Sequence, residues 1–242
     1  MPGFTGFTQI TSGEVYSSSA TQAHRLGTLA QTRDGRQFRY AKAGAVALVP
    51  GNVIQSAAHE ILWNNAAVTA TAVGSTSVAV TAGAVVGAAN LFAEGLMLVS
   101  TTPSLGYSHM IAGHAAIASA TEFTLNLETD NPIQVALTTA SKVDLIMNPY
   151  KAVIQAPVTT LTGTIVGVCV YPIAISEFGW LQVRGHGAVL IDGTTPANFS
   201  MLGSPSAAAG AACIHTAALT FVGFSMAVGV ANKAKAVFIN IG

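Results

Sequence analysis

The sequence predicts an all-β protein with two small β-barrel or sandwich units preceded by an extended N-terminal arm. Short apolar stretches recur about every ten residues between turn-forming residues, which is typical of barrels and sandwiches. Several of these stretches alternate apolar and polar residues, whereas helical periodicity is weak throughout the chain. Val, Thr, Ala and Gly supply much of the composition, and among them Val and Thr favour strands while Gly favours turns.

Residues 1–42 are predicted to form the extended arm, because glycines and serines in its first half leave few core anchors. Half of the ten basic residues of the chain lie here: Arg25, Arg33, Arg36, Arg39 and Lys42. Only two acids, Glu14 and Asp34, accompany them, so the arm has a net charge of +3. We take the five basic residues as candidates for binding a neighbouring acidic surface. The alternative is a frayed terminus with solvated charges.

The arm is predicted to end in a hairpin. The dipeptide Asp34-Gly35 lies between two strand-like stretches, and it tolerates the positive φ angles of a type I′ turn. After the turn, Phe38 and Tyr40 alternate with Arg39. One face of this strand is therefore expected to be aromatic and the other charged.

Residues 43–150 are predicted to form the first β domain. Phe123, Leu125 and Leu127 alternate with polar residues, as expected for a strand with one buried face. The other strands of this domain are expected at residues 45–49, 67–72, 77–81, 96–99, 107–111 and 143–147.

Residues 151–242 are predicted to form the second β domain. Val166, Val168 and Val170 alternate before Pro172, which marks an edge strand or a bend. The other strands are expected at residues 178–183, 188–191, 221–230 and 236–241, the last two as a closing pair.

The chain contains few charges for its length of 242 residues. Only 8% of the residues are charged, against about 25% in an ordinary domain, and the ten basic residues balance the ten acidic ones. A free monomer of this kind is poorly protected against self-association. We therefore expect much of its surface to contact other protein chains. The alternative is an ordinary β-protein rich in Ala, Gly and Thr.

The sequence offers no recognisable catalytic or metal-binding motif. His59-Glu60 begins like a zinc protease motif, but Trp63 stands where the second histidine is needed. Cys169 and Cys213 lie in apolar stretches and are expected to be buried free thiols, with a disulfide left open. We expect no enzyme activity, no cofactor and no bound metal. Nucleic-acid binding is not expected, because the basic excess is confined to the arm.

The N-terminus shows no secretory signal, and the apolar runs are too short to span a bilayer. We therefore expect a protein that is made in a cytoplasm, remains soluble and has no membrane partner.

Two parts of the sequence resemble structural proteins encoded near the major capsid gene of tailed bacteriophages. One combines Leu26-Gly27-Thr28 with TRDGRQFRY (residues 32–40) and Gly44-Ala45, and the other combines EFGWLQV (177–183) with GAVLIDG (187–193). The chain thus resembles a capsid decoration (cement) protein. The resemblance implies a protein on the outer capsid surface that bridges capsomers, often as a trimer, with the major capsid protein as partner.

Three functions follow as hypotheses. The first is a decoration protein on the exterior of the virion, assembled in the host cytoplasm and stabilising the contacts between capsomers. The second is a tail, fibre or adhesin component that binds host glycans, for which only Trp63 and Trp180 are available as tryptophans. The third is a virion-associated hydrolase on a β scaffold, which would need a nucleophile and a base.

Overall fold

The computed structural model describes residues 8–158, 160–193 and 195–241. Strands make up 40% of the residues and helix 3%, which confirms the predicted all-β fold.

The N-terminal part contains β1 (Thr8–Gln9), α1 (Ser12–Val15), β2 (Ser18–Ser19), β3 (Leu29–Gln31), β4 (Gln37–Lys42) and β5 (Val53–Gln55). A 3-10 turn (Ile61–Trp63) is followed by β6 (Ala66–Val68), β7 (Ser77–Thr81), β8 (Leu96–Val99), β9 (Ser108–His114), β10 (Glu122–Leu127) and β11 (Lys142–Ile146). The C-terminal part contains β12 (Ile154–Gln155), β13 (Ile165–Cys169), β14 (Phe178–Leu190), β15 (Met201–Gly203), β16 (Cys213–Ile214), β17 (Phe221–Ser225) and β18 (Ala234–Asn240). Within the described ranges, no helix has the length and apolar character needed to cross a membrane.

The chain folds as two units whose boundaries differ from those predicted. Residues 59–148 form one unit, called the barrel unit below. The residues up to 58 and from 149 onward form the other, called the sheet unit. The predicted boundary at 42/43 lies 16 residues before the observed one at 58/59, whereas the predicted boundary at 150/151 lies two residues from the observed one at 148/149. The segments on either side of the barrel unit belong to one unit, not to a separate arm and second domain. The physical reason is that β5 pairs with β12 and β13, so the chain leaves the sheet unit after β5 and later returns to it.

The barrel unit is a closed barrel with the strand order β10-β7-β6-β11-β8-β9, and β10 also pairs with β9. Phe123, Leu125 and Leu127 of β10 point into its core, whereas the residues that alternate with them are exposed. This confirms the strand predicted from their alternation. Met97 and Leu145 are fully buried in the same core. Closure pairs the strands all round, so this unit exposes no long sheet edge.

The sheet unit is organised around β14, the longest strand. The first half of β14 pairs with β4, β2 and β13, and its second half pairs with β18. From β18 the sheet continues through β17 and β15 to β16. The antiparallel pair of β17 and β18 confirms the predicted closing pair.

The described part of the predicted arm, residues 8–42, is folded into the sheet unit. Strand β4 pairs with β3 and, over its whole length, with β14. Phe38 and Tyr40 are buried in one cluster with Trp180. Because these aromatic side chains pack into the core, the prediction of an extended arm is wrong for these residues. The remaining residues of that arm, 1–7, lie outside the described ranges.

The hairpin between β3 and β4 is present, but its turn is longer than predicted. The N–H of Thr32 donates to the carbonyl of Arg36 at 3.0 Å, which leaves three residues in the loop. Gly35 has a φ of +83°, whereas Asp34 has no positive φ. A three-residue loop that ends on a left-handed glycine forms a bulged hairpin. A type I′ turn would need positive φ at both central residues, so that prediction is wrong.

Candidate partner-binding surfaces

The five basic residues predicted to bind a partner separate into two groups. Arg25 and Arg33 are exposed, whereas Arg36, Arg39 and Lys42 are half-buried. Arg36 Nε donates to Asp34 Oδ2 at 2.7 Å, so its charge is paired within the hairpin.

The other two half-buried residues contact the sheet unit itself. Arg39 Nη1 donates to the carbonyl of Gly27 at 2.7 Å, and its guanidinium lies 5.8 Å from the ring centre of Tyr150. Lys42 Nζ lies 5.2 Å from the ring centre of Phe178. Cations over aromatic rings are held by the ring quadrupole. These two side chains therefore hold the segment on the sheet, and within the predicted set Arg25 and Arg33 are the exposed charges.

Asp34 stabilises the hairpin turn as a carboxylate. A hydrogen bond from the Thr32 hydroxyl, followed by contacts with Arg36, lowers the pKa of Asp34 to about 2. A lowered pKa means that the carboxylate contributes stability above its ordinary pKa, near 4, and that this contribution disappears as the pH falls towards 2.

We expect Thr32→Val to raise the pKa of Asp34 towards its ordinary value, because the largest cause of the lowering is removed. An NMR titration of the Asp34 carboxyl carbon measures this shift. Thr28→Val is the matched control, since the Thr28 hydroxyl donates to a backbone carbonyl, that of Arg25. An Asp34 pKa that stays near 2 in Thr32→Val would contradict this account.

The outer face of the C-terminal half of the sheet unit is apolar and exposed. The register places Met201 of β15 opposite Phe224 of β17, Phe224 opposite Phe238 of β18, and Phe238 opposite His186 of β14. All four residues are exposed. With strands about 4.8 Å apart, this row of large side chains is about 14 Å long.

A second row, which consists of Met226 and two alanines, runs beside the first. Met226 donates its N–H to the carbonyl of Ala236, which is opposite Ala188 of β14. These alanines lie two residues from Phe238 and His186 on the same outer face. We call the row of large side chains, together with Met226 and the alanines, the apolar face.

Phe199 extends the apolar face beyond β15. It is 77% exposed, and its N–H donates to the carbonyl of Ser225 next to Phe224. Its φ of +61° is rare for a bulky side chain and is the kind of backbone strain found at functional sites. The backbone thus holds a large apolar ring in solvent at the margin of this face.

A basic residue stands at one margin of the apolar face. Arg184 of β14 is exposed two residues beyond His186 on the same face, and it is opposite Asn240 of β18. Lys233, just before β18, is also exposed, but its carbonyl accepts the N–H of the buried Ile191, so the register does not align it with the outer residues Ala236 and Phe238.

The neutral net charge of the chain conceals two units of opposite charge. With histidines neutral, the sheet unit holds nine basic and four acidic residues, a net +5. The barrel unit holds one basic residue, Lys142, and six acidic ones, a net −5. A charge count over residues 43–150 alone would have revealed the acidic unit from the sequence.

One side of the barrel unit combines apolar and acidic groups. Ile146 of β11 is opposite Leu96 of β8, and Leu96 is opposite Met110 of β9. These three side chains alternate with buried ones, so they lie on the outside of the barrel. The next position in this row is Glu128, whose N–H donates to the carbonyl of Met110.

Further acids surround this apolar row. Asp144 precedes Ile146 by two residues on the same outer face and is opposite Leu98 of β8. Glu94 comes just before β8, and Asp130 is exposed after β10. We call this region the acidic side of the barrel unit.

A small cleft of about 150 Å³ lies over the aromatic cluster of the sheet unit, with Glu14 and His24 in its lining. The rings of Tyr40 and Trp180 are 5.0 Å apart at an angle of 63°, and both residues are less than 5% exposed. The edge of one ring therefore packs against the face of the other, and little of either ring is open to solvent. Trp63 is buried in the core of the barrel unit. Both tryptophans are thus used for packing, which disfavours the glycan-binding hypothesis.

The described residues contain no group of three or more His, Cys, Asp or Glu that could hold a metal ion. His114, in the barrel unit, accepts the N–H of Phe92 at Nε2 (3.0 Å) and contacts the carbonyl of Ala115 through Nδ1 (2.7 Å). This pattern fixes one neutral tautomer and uses both nitrogens for structure.

Cys169 and Cys213 are buried free thiols, as expected from their apolar surroundings. Burial raises the pKa of Cys169 to about 12, and it also raises the pKa of Cys213. Thiolate, the reactive form, is therefore scarce at both positions near neutral pH.

We expect neither cysteine to react with an aromatic disulfide reagent in the native protein at pH 8, and both to react after unfolding. Release of the coloured thiolate measures this. A variant with an exposed cysteine, Thr139→Cys, should react at once and serves as the control. Native labelling of Cys169 or Cys213 at the rate of that control would contradict the burial described here.

Comparison of the chain with protein families, with curated proteins and with solved structures finds no match.

Proposed function

We propose that this chain is a structural virion protein that binds the outer surface of a tailed-phage capsid and stabilises the contacts between capsomers. The starting point is the resemblance of the segments within residues 26–45 and 177–193 to such proteins. The observation that best supports the proposal is the apolar face of the sheet unit. Contiguous exposed apolar patches of several hundred Å² mark sites of protein association. Only 8% of the residues are charged, a composition that favours association with other protein chains.

Stabilisation of a shell by such a protein has a simple energetic basis. Each apolar Å² that a joint between capsomers removes from water contributes about 25 cal/mol, before the cost of ordering is subtracted. A decoration protein repeats this gain at every equivalent joint of the lattice. Modest contacts therefore add up to a large resistance of the filled shell to internal pressure.

The exposed basic residues of the N-terminal segment are the proposed contacts with the capsid. Arg33 stands at the tip of the β3–β4 hairpin, and Arg25 is exposed on the segment before β3. Charges at the rim of an interface mainly raise the association rate and set its salt dependence. They would meet carboxylates of the major capsid protein.

The test uses capsids of the encoding phage that lack this protein, made by deleting its gene. Purified chain is added, and the bound fraction is measured by co-sedimentation at increasing concentration. We expect saturation at a fixed number of copies per capsid, and a higher melting temperature of the loaded shell. Sedimentation of the shells without the chain at saturating concentrations would refute the proposed function.

A point variant tests the role of the hairpin tip. Arg33→Glu is expected to weaken capsid binding several-fold and to reduce its salt dependence. Lys142→Glu, the same charge change on the barrel unit, is the matched control and should bind like the wild type. Equal binding by the two variants would exclude Arg33 as a capsid contact while leaving the function itself in place.

The other two hypotheses receive less support. The glycan hypothesis relied on Trp63 and Trp180, and both of these tryptophans are buried in cores. A hydrolase needs an activated nucleophile, whereas burial raises the thiol pKa of both Cys169 and Cys213.

A further inference from the structure

The two units present surfaces that complement each other in charge and in polarity. The sheet unit has an apolar face with Arg184 at its margin. The barrel unit has an apolar row, Ile146–Leu96–Met110, surrounded by acids. We propose that copies of this chain associate head to tail, with the apolar face of one copy bound to the acidic side of the barrel unit of the next copy.

We infer from charge complementarity that a second copy of the chain binds the apolar face. The sheet unit has a net charge of +5 and the barrel unit a net charge of −5, with histidines neutral. A second copy therefore offers a complementary surface to each unit of the first. Complementary potentials steer encounter and disfavour wrong partners.

Charged residues also lie beside the apolar rows on both surfaces. Arg184 is exposed two residues beyond His186 on the same face of β14. On the barrel unit, Glu128 continues the row beyond Met110, and Asp144 lies two residues from Ile146 on the same outer face. In one docking pose, Arg184 can therefore face an acid while the apolar rows pack against each other.

The apolar face supplies much of the area that a stable contact needs. Phe199, Phe224 and Phe238 are 77%, 40% and 42% exposed. At about 200 Å² for a full aromatic side chain, they alone expose roughly 300 Å². Met201 and Met226, each 47% exposed, extend the same patch. A specific interface buries about 800 Å² on each partner, so these five side chains and their neighbours approach that size.

A contact between two identical apolar faces is less favourable. In such a symmetric pair, Arg184 would meet no carboxylate on the partner, because the described apolar face contains no acid. Charge complementarity across an interface favours the partner that supplies the opposite charge. A head-to-tail contact brings Arg184 to the acids of the barrel unit, and repeated contacts of this type close into a ring when the rotation between copies allows it.

The test disables each surface in a separate variant. Phe238→Glu places a charge in the apolar face, and Ile146→Glu places one on the acidic side of the barrel unit. We expect the wild-type chain to form oligomers, and each variant alone to have the mass of one chain, 24.6 kDa. A mixture of the two variants retains one intact surface of each kind and should form pairs and nothing larger. Light scattering during size-exclusion chromatography measures these masses.

Controls separate lost association from lost folding. Ile61→Glu changes a residue that is 73% exposed and outside both surfaces, and it should assemble like the wild type. Circular dichroism checks each fold, and Phe224→Glu replaces Phe238→Glu if the latter unfolds. A wild-type chain that stays single at high concentration would overturn the proposal, as would an Ile146→Glu variant that still assembles or a mixture that fails to pair. These measurements use purified chain without capsids. A lack of self-association is therefore distinguishable from a lack of capsid binding.

Discussion

Replacing Phe38 with alanine is expected to lower the free energy of unfolding of the sheet unit by about 3–5 kcal/mol. Phe38 lies in β4, is fully buried and belongs to the aromatic cluster with Tyr40 and Trp180. Its removal leaves a cavity between β4 and the core that the paired strands cannot close. A residue on a free arm would change stability by less than about 0.5 kcal/mol. The variant therefore distinguishes a folded N-terminal segment from an extended one.

The measurement is chemical denaturation followed by tryptophan fluorescence in a Trp63→Phe background. Trp180 of the sheet unit is then the only tryptophan that reports unfolding. Tyr171→Ala is the matched control, because Tyr171 is an aromatic residue of the same unit that is 37% exposed. We expect it to cost less than about 1 kcal/mol. Equal stabilities of Phe38→Ala and the parent protein would refute the packing of this segment.

The same packing determines how partner binding can be tested. Deleting residues 1–42 would remove β4 and its ladder with β14, so the sheet unit would lose part of its core together with any contact residues. Loss of capsid binding after such a deletion would report unfolding as readily as a missing contact. Single charge changes at exposed residues such as Arg33 avoid this ambiguity.

Local patterns in the sequence predicted the strands but not their partners. The alternation of Phe38 and Tyr40 with Arg39 identifies a strand with one aromatic face, and the structure has such a strand. Its partner, β14, begins about 140 residues later, and no local signal joins the two. Hydrophobic periodicity describes one strand at a time, whereas the pairing of β4 with β14 depends on the whole fold. This is why the segment was predicted to be an arm.

The sequence pattern did not predict the apolar face, for a related reason. Residues 221–230 are apolar almost throughout, so their pattern does not reveal which side chains face solvent. A continuous apolar run is normally taken as a strand buried on both faces. The structure instead exposes Phe224 and Met226 and buries Val222. Only the register with β18 places Phe224 next to the exposed Phe238.

The barrel unit is expected to fold on its own when residues 59–148 are produced as a separate chain. Its strands β6–β11 pair only with one another, and they close without a free edge. Its core is its own and includes Val80, Met97, Ile111 and Leu145, all fully buried. Contiguous, locally closed structure of this kind needs no partner segment from elsewhere in the chain. We therefore expect a cooperative unfolding transition and the circular dichroism of a β-protein.

The fragment 151–242 provides the contrasting control. It corresponds to the second domain predicted from the sequence, but it lacks β4 and β5, which pair with β14 and with β12 and β13. Without them, β13 and the first half of β14 have unpaired edges and an incomplete core, so we expect this fragment to stay unfolded. Gly95→Ala is a point substitution that tests the fold of the barrel fragment. The added methyl group would overlap the carbonyl oxygens of Ile146 and Phe92 and strain the turn into β8. A folded 151–242 fragment beside an unfolded 59–148 fragment would reverse the division into units described here.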